Sequence, residues 1–180
     1  MIGRIEQENM VVPGDETIAS LVDALAGTDG VERRVAREKL EKIGRQAVPA
    51  LLTALQSPSA RARWEAAKAL GEIADPSAAL ALVGTLEDEE PGVRWLAATA
   101  LINLGHAALA PLLRGLESSG DSIWLREGAH HVLRSLIREG VADEAIPVLE
   151  ALEDIEPSIE APIAAYHVLQ ALRERGETSA

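Results

Sequence analysis

The chain has no cysteine and no phenylalanine, and only one tyrosine and three tryptophans among its 180 residues. Without cysteine there is no disulfide, no thiolate metal ligand and no thiol nucleophile. That is compatible with a reducing cytoplasm, the expected location. Without phenylalanine the core must be assembled from Leu, Ala, Val and Ile, which suits close-packed helices better than strands. Cationic side chains are scarce as well: 17 Lys and Arg stand against 29 Asp and Glu, for a formal net charge of −12. Binding to nucleic acid depends on Lys and Arg neutralising phosphates, so it is disfavoured, as is docking on anionic lipid. The opening MIGRIEQENMVV is charged and interrupted and does not read as a signal peptide. No run approaches the roughly 18 consecutive apolar residues of a membrane span. What remains is a partner made of protein or peptide, bound by a chain expected to be a monomer that engages neither nucleic acid nor membrane.

Repetition is what the sequence does contain. RWEAAKALGEIA at Arg63–Ala74 and RWLAATALINLG at Arg94–Gly105 are near copies. Anchored on Leu40, Leu70, Leu101, Leu133 and Leu169, the unit recurs at spacings of 30, 31, 32 and 36 residues. Three residues after the anchors stand Ile43, Ile73, Leu104, Leu136 and Leu172, and seven before them Arg33, Arg63, Arg94, Arg126 and Pro162. A second series, Leu25, Leu55, Leu86, Leu116 and Leu152, shares the period. Each unit therefore holds a first helix A and a second helix B. The A helices are expected over Thr17–Ala26, Ala47–Gln56, Ser77–Glu87, Ala107–Glu117 and Glu144–Glu153. The B helices are expected over Val31–Ile43, Ala60–Ala74, Val93–Leu104, Ile123–Arg138 and Ala161–Arg175. Gly44, Gly105, Gly140 and Gly176 stop helix B in four units. One hairpin cannot bury its apolar face alone, but a stack of five can. The expectation is an all-α, right-handed α-α superhelix of about five hairpins. A repeat domain over 16–176 lies between tails at 1–15 and 177–180. The long last spacing, with His130 and Tyr166 in place of the small Ala67 and Ala98, predicts an irregular join between units four and five.

The hairpin with VRWLAATALINLG in its second helix resembles HEAT repeats, and is most similar to the short HEAT-like type of the phycobilisome lyases. The resemblance covers about residues 16–176 and is specific for fold, not for function. It implies that the Arg opening each B helix stacks into a structural ladder with Asp residues of the turns, and Arg33, Arg63, Arg94 and Arg126 match. Six residues before each matched Arg only Asp88 supplies the acid; Gly27, Ser57 and Gly120 stand elsewhere. The ladder should be incomplete, with Asp29 and Asp121 as substitutes and Pro162 marking a C-terminal cap.

In related solenoids the B helices line the concave, binding side. Trp64 and Trp95 share one repeat position at the edge of the apolar arc, about 120° from the Leu anchor. Trp is enriched at binding hot spots, so the pair either centres a recognition patch or seals adjacent repeats against each other or Ile102. The candidate groove comprises Arg34, Trp64, Glu65, Lys68, Trp95, Leu96, Thr99, Asn103, Glu127 and His131, with Trp124 a weaker candidate. His131 and His167 are equivalent, but no third and fourth ligand accompanies them, so no metal is expected. Deoxyhypusine hydroxylase, a HEAT-like iron protein, uses His-Glu pairs in its B helices; here the places read Trp64-Glu65, Trp95-Leu96 and Glu127-Gly128, and that chemistry is rejected. No nucleophile–base set, phosphate loop or carboxylate pair stands out. Catalytic residues and cofactor are expected to be none. Two functions follow: a non-catalytic interaction module that holds a protein on the B-helix face, or, from the resemblance alone, a bilin lyase or chromophore chaperone.

Overall fold

A computed structural model describes residues 17–176; the tails expected at 1–15 and 177–180 lie outside the described residues. Ten α-helices follow one another among these residues, without strand. They are α1 (Ile18–Ala24), α2 (Gly30–Ile43), α3 (Val48–Ala54), α4 (Ala60–Ile73), α5 (Ala79–Thr85), α6 (Pro91–Leu104), α7 (Leu109–Ser119), α8 (Ile123–Arg138), α9 (Ile146–Leu152) and α10 (Pro157–Glu174). Odd numbers are A helices and even numbers B helices. Short 3₁₀ turns lead into α3, α5, α7 and α9, so these A helices begin later than the sequence suggests.

Local chemistry sets the ends. Asp29 accepts from the amides of Val31 and Glu32, Ser59 from Ala62 and Ser122 from Leu125, giving three B helices a side-chain cap. At the other end Gly44 and Gly105 turn with φ of 70° and 59°. The second unit has Ala74 at the same register with φ 52°, the one non-Gly residue at positive φ among the described residues. Asp29 is thus a helix cap and not a ladder acid.

Both Leu series point into one core. Leu40, Leu70, Leu101, Leu133 and Leu169 are fully buried, as are or nearly so Leu25, Leu55, Leu86 and Leu116. Each such burial contributes about 2 kcal/mol. Ala66, Ala67, Ala97 and Ala98 are buried between them and let the B helices approach. At Gly71 an added Cβ would lie 3.0 Å from the Ala100 Cβ, so α4 and α6 meet nearly backbone to backbone. In units one to four B helices stack on B helices, α2 on α4, α4 on α6 and α6 on α8, and A helices touch more thinly.

The stretch Pro91–Ser119 is, by length and composition, apolar enough to cross a membrane, with a window of mean hydropathy 1.6. The stretch is not continuously apolar: Thr99, Asn103 and His106 interrupt it. In the structure the stretch folds at Gly105 into α6 and α7, and half of the window is buried in the core.

The fifth hairpin departs from the stack. Helix α10 packs along α7 and scarcely touches α8, while α9 packs on α8. The B helix has therefore moved onto the A layer. The helix also begins at Pro157, not at Ala161, and contains Pro162 inside it. Pro157 occupies the first turn, where a missing N–H costs nothing, and Pro162 forfeits only one bond near the start. Pro162 does not make a polar cap either, because Ile146, Ile155, Ile159 and Ile163 remain exposed, Ile155 at 93%.

Candidate binding face

The ladder works differently from the pattern expected by resemblance. Each ladder Arg donates to a backbone carbonyl six residues earlier: Arg33 to Gly27 (2.9 Å), Arg63 to Ser57 (3.0 Å), Arg94 to Asp88 (2.7 Å) and Arg126 to Gly120 (2.6 Å). These carbonyls end the A helices and would otherwise lack partners. The Asp88 carboxylate serves the previous unit, accepting from Arg63 Nε at 2.7 Å and Nη2 at 3.0 Å. Burial opposes its ionisation, but the bonds from Arg63 and the Glu90 amide, with the charges of Arg63 and Arg94, hold its carboxyl below the usual range. The same bond from Asp88 raises Arg63 further above its ordinary value. This is the single Arg–Asp rung of the ladder among the described residues. Arg94 instead lies over the Trp124 ring at 4.6 Å, and Asp121 stays exposed beside the Ser122 cap.

Three B helices present an indole to solvent: Trp64 on α4 is 37% exposed, Trp95 on α6 60% and Trp124 on α8 41%. Trp95 stacks on His131 of α8, with centroids 5.0 Å apart and planes at 32°. Trp64 lies against Gly92, where an added Cβ would sit 3.5 Å from its ring. Lys68 places its ammonium 5.2 Å above the same ring. Trp124 stands at the Gly92 register of the next unit, three residues before the position that Trp64 and Trp95 share.

The remaining candidates divide. Arg34 and Glu127 are exposed. Thr99 turns its hydroxyl back to the Trp95 carbonyl (2.9 Å), and Asn103 donates to the Gly71 carbonyl of α4 (3.2 Å). Leu96 is half-buried against the core, and Glu65 is buried at 5% exposure. Those two do not belong to an open face. Glu65 accepts from Arg37 Nε at 2.9 Å and pairs with Arg33 Nε at 3.5 Å; Arg37 also pairs with Glu41. The sequence reading missed Arg37. A signal was present: Arg37 stands where the next units have Ala67 and Ala98, and Glu65 where they have Val35 and Leu96. Two compensating charges in adjacent units mark a pair across the helix–helix seam.

Above this buried network runs an open groove of about 480 Å³ lined by α2, α4 and the start of α6. Arg34, Arg61, Trp64, Lys68, Glu90 and Gly92 form its walls, and Arg33, Glu65 and Arg37 its floor. Trp95 and His131 lie farther along the face and do not line it.

Histidines serve as partners of carboxylates at the turns: His106 meets Glu144 at 2.8 Å and His130 meets Glu153 at 2.9 Å. Tyr166, expected at the repeat interface, is 45% exposed and edge-on to His167. The turned-over fifth hairpin takes it there. Among the described residues no group of three or more His, Asp or Glu is placed to hold a metal ion.

Known sequences and structures bear on this face. A family profile described as HEAT repeats matches residues 18–90, and one described as PBS lyase HEAT-like repeat matches residues 93–118. No curated protein matches the chain. Among solved structures, a chain from the complex of CpcE and CpcF of phycocyanin lyase from Nostoc sp. PCC7120 is 25% identical, with a TM-score of 0.58. That likeness covers 87% of this chain and 97% of the other. A designed armadillo repeat protein in complex with the peptide (KR)4 is 22% identical with a TM-score of 0.41, covering 90% of this chain and 89% of that one. Two repeat profiles, a shared period and a stack of helical hairpins agree: the chain is similar to HEAT-repeat proteins, with HEAT-type repeats matched over 18–90 and 93–118.

Proposed function

We propose that the B-helix face is a non-catalytic surface that holds a partner protein. The observation that carries this reading is the row of exposed indoles on α4, α6 and α8. An exposed Trp adds little to folding, whereas a Trp desolvated at the centre of an interface contributes strongly to binding. The similar chain of known structure also sits in a complex with another protein chain. Affinity capture from the source cells, run in parallel with wild type, Trp64→Ala and Trp95→Ala, tests it. The expected result is that a captured partner is lost from the variants, at about 2 kcal/mol or more per residue. Thermal stability should move by well under the roughly 3–5 kcal/mol of an emptied aromatic core site. Partner retention in both variants, or unfolding in place of lost binding, overturns the reading.

A second reading, a chromophore-holding protein of the bilin lyase kind, has one observation in its favour. This is the PBS lyase HEAT-like match at 93–118 together with the phycocyanin lyase likeness. Mixing the protein with phycocyanobilin and recording the visible spectrum decides it: absence of any shift removes the reading.

A further inference from the structure

We propose that the groove across the starts of α2, α4 and α6 takes an acidic segment of a partner protein, with carboxylates on Arg34 and Arg61 and an apolar contact on Trp64. This deepens the reading of the B-helix face as a partner-binding surface, and rests on it, by naming the chemistry of the partner. The protein as a whole carries a formal charge of −12, yet this groove is lined by five cationic side chains and two carboxylates. One of those carboxylates, Glu65, is already held between Arg33 and Arg37 beneath the groove and does not compete for the rim.

The rim cations are the available ones. Arg61 has no ion-pair partner among the described residues, and its side chain is exposed. Arg34 meets only Glu38, at 3.8 Å, with both side chains about half exposed or more. Such a solvent-exposed pair is weak and easily exchanged for a better carboxylate. Trp64 shares the α4 wall with Arg61, three residues along the helix, and its ring lies beside Gly92 of α6. Guanidinium groups favour bidentate contacts with carboxylates.

The occupant is a stretch of chain, not a small free anion, because the cations stand on different helices along an open groove. Successive acidic side chains on an extended segment can meet cations of both helices while the segment contacts the indole. The net charge of −12 on each chain opposes the approach of a second copy as the source.

Titration of fluorescein-labelled hexaglutamate, followed by anisotropy and by Trp64 emission in a variant with Trp95→Phe and Trp124→Phe, tests the inference. Expected are saturable binding that weakens as salt is raised, a change in Trp64 emission, and no binding of labelled hexalysine. In the double variant Arg34→Ala/Arg61→Ala binding should fall by roughly tenfold or more. Its thermal melt should stay unchanged, because both side chains are on the surface. Absent hexaglutamate binding, binding indifferent to the double variant, or equal binding of hexalysine overturns the inference. Displacement of the peptide by glutarate at the same molar concentration also overturns it, in favour of a site for small anions. Loss of a captured partner in Trp95→Ala without loss in the Arg double variant sinks the groove and leaves the face standing. Retention of the partner in both Trp variants sinks the face, and the hexaglutamate titration still decides the groove.

Discussion

Units two and three and the fifth hairpin are made from the same kind of helix pair, yet they are joined by different forces. Between α4 and α6 the join is backbone-close, with Ala against Gly71, an Asn103 bond across the seam and an Arg63–Asp88 rung at its edge. Between units four and five the rung is gone. Pro162, at the register of the ladder Arg, meets Gly120, at the register of the ladder Asp, in a purely van der Waals contact. The same positions in the repeat carry charge in one region and shape in the other. The rung adds an ionic tie between α4 and the turn before α6, whereas at the last join Gly120 and Pro162 touch where α10 lies along α7. A period in the sequence thus sets which residues are core, but not how each unit is clamped to the next.

The largest effect should come from the buried charges beneath the groove. Glu65→Ala removes the carboxylate between Arg33 and Arg37 and leaves Arg37, itself 7% exposed, with only Glu41. The expected loss is about 3 kcal/mol of unfolding free energy, read by urea denaturation. An unchanged midpoint would show that the α2–α4 seam is held by its Ala and Leu contacts alone.

At the other join Gly120→Ala should cost about 2 kcal/mol, because the new Cβ would lie 2.2 Å from Pro162 Cγ and 2.7 Å from the Leu116 carbonyl oxygen. The damage should be local. Hydrogen exchange is expected to quicken along α10 while α4 and α6 keep their protection. A uniform loss across all helices would mean that the fifth hairpin is clamped as firmly as the second.

How much of this was legible in the sequence follows from the kind of interaction. The Leu anchors read correctly because burial repeats with the helix period, and the odd last spacing flagged the irregular join. The turn-over itself was hidden, since helix period marks the apolar face of α10 but not the layer on which that face packs. The ladder Arg positions read correctly, but their partners did not. A backbone carbonyl leaves no mark in a sequence, and the Asp serves the preceding unit, not its own. Glu65 looked exposed by helix phase alone; the neighbouring α2 covers it, which only the compensating Arg37 could have revealed.

The rung itself gives the next prediction. Asp88→Asn should cost about 1.5 kcal/mol, less than a fully buried pair, because Arg63 keeps the Ser57 carbonyl and Glu89. The wild-type contribution also carries a pH signature. The folded Asp88 carboxyl ionises below its unfolded value near 3.8, so its stabilisation is complete above that value. It disappears as pH falls through the lowered folded value, and Asp75, lowered chiefly by the Ser77 hydroxyl and amide, acts in the same direction. Denaturation midpoints compared between pH 7 and pH 3 should therefore fall more in wild type than in Asp88→Asn. Equal falls would show that Asp88 is not the group that titrates with folding.

The smallest expected effect has the opposite sign. Helix α4 ends at Ala74 with φ 52° and ψ 38°, the left-handed conformation, whereas Gly44 and Gly105 end the neighbouring B helices at positive φ with ψ of −136° and −135°. In this conformation Cβ crowds the carbonyl oxygen, at a cost of roughly 1 kcal/mol for a residue other than glycine. Glycine removes that crowding but frees the unfolded chain, and it deletes a methyl that packs at the edge of the core. The three terms leave a net gain of about 0.5 kcal/mol for Ala74→Gly, a rise of a degree or two in Tm for a domain of this size. Calorimetry of the single variant measures it, with Gly105→Ala, at positive φ and ψ −135°, as the destabilising reference. If Ala74→Gly destabilises by as much as Gly105→Ala, the methyl contact outweighs the backbone. The second unit would then be held at its turn by packing, as the fifth is, and the contrast between the two joins would narrow.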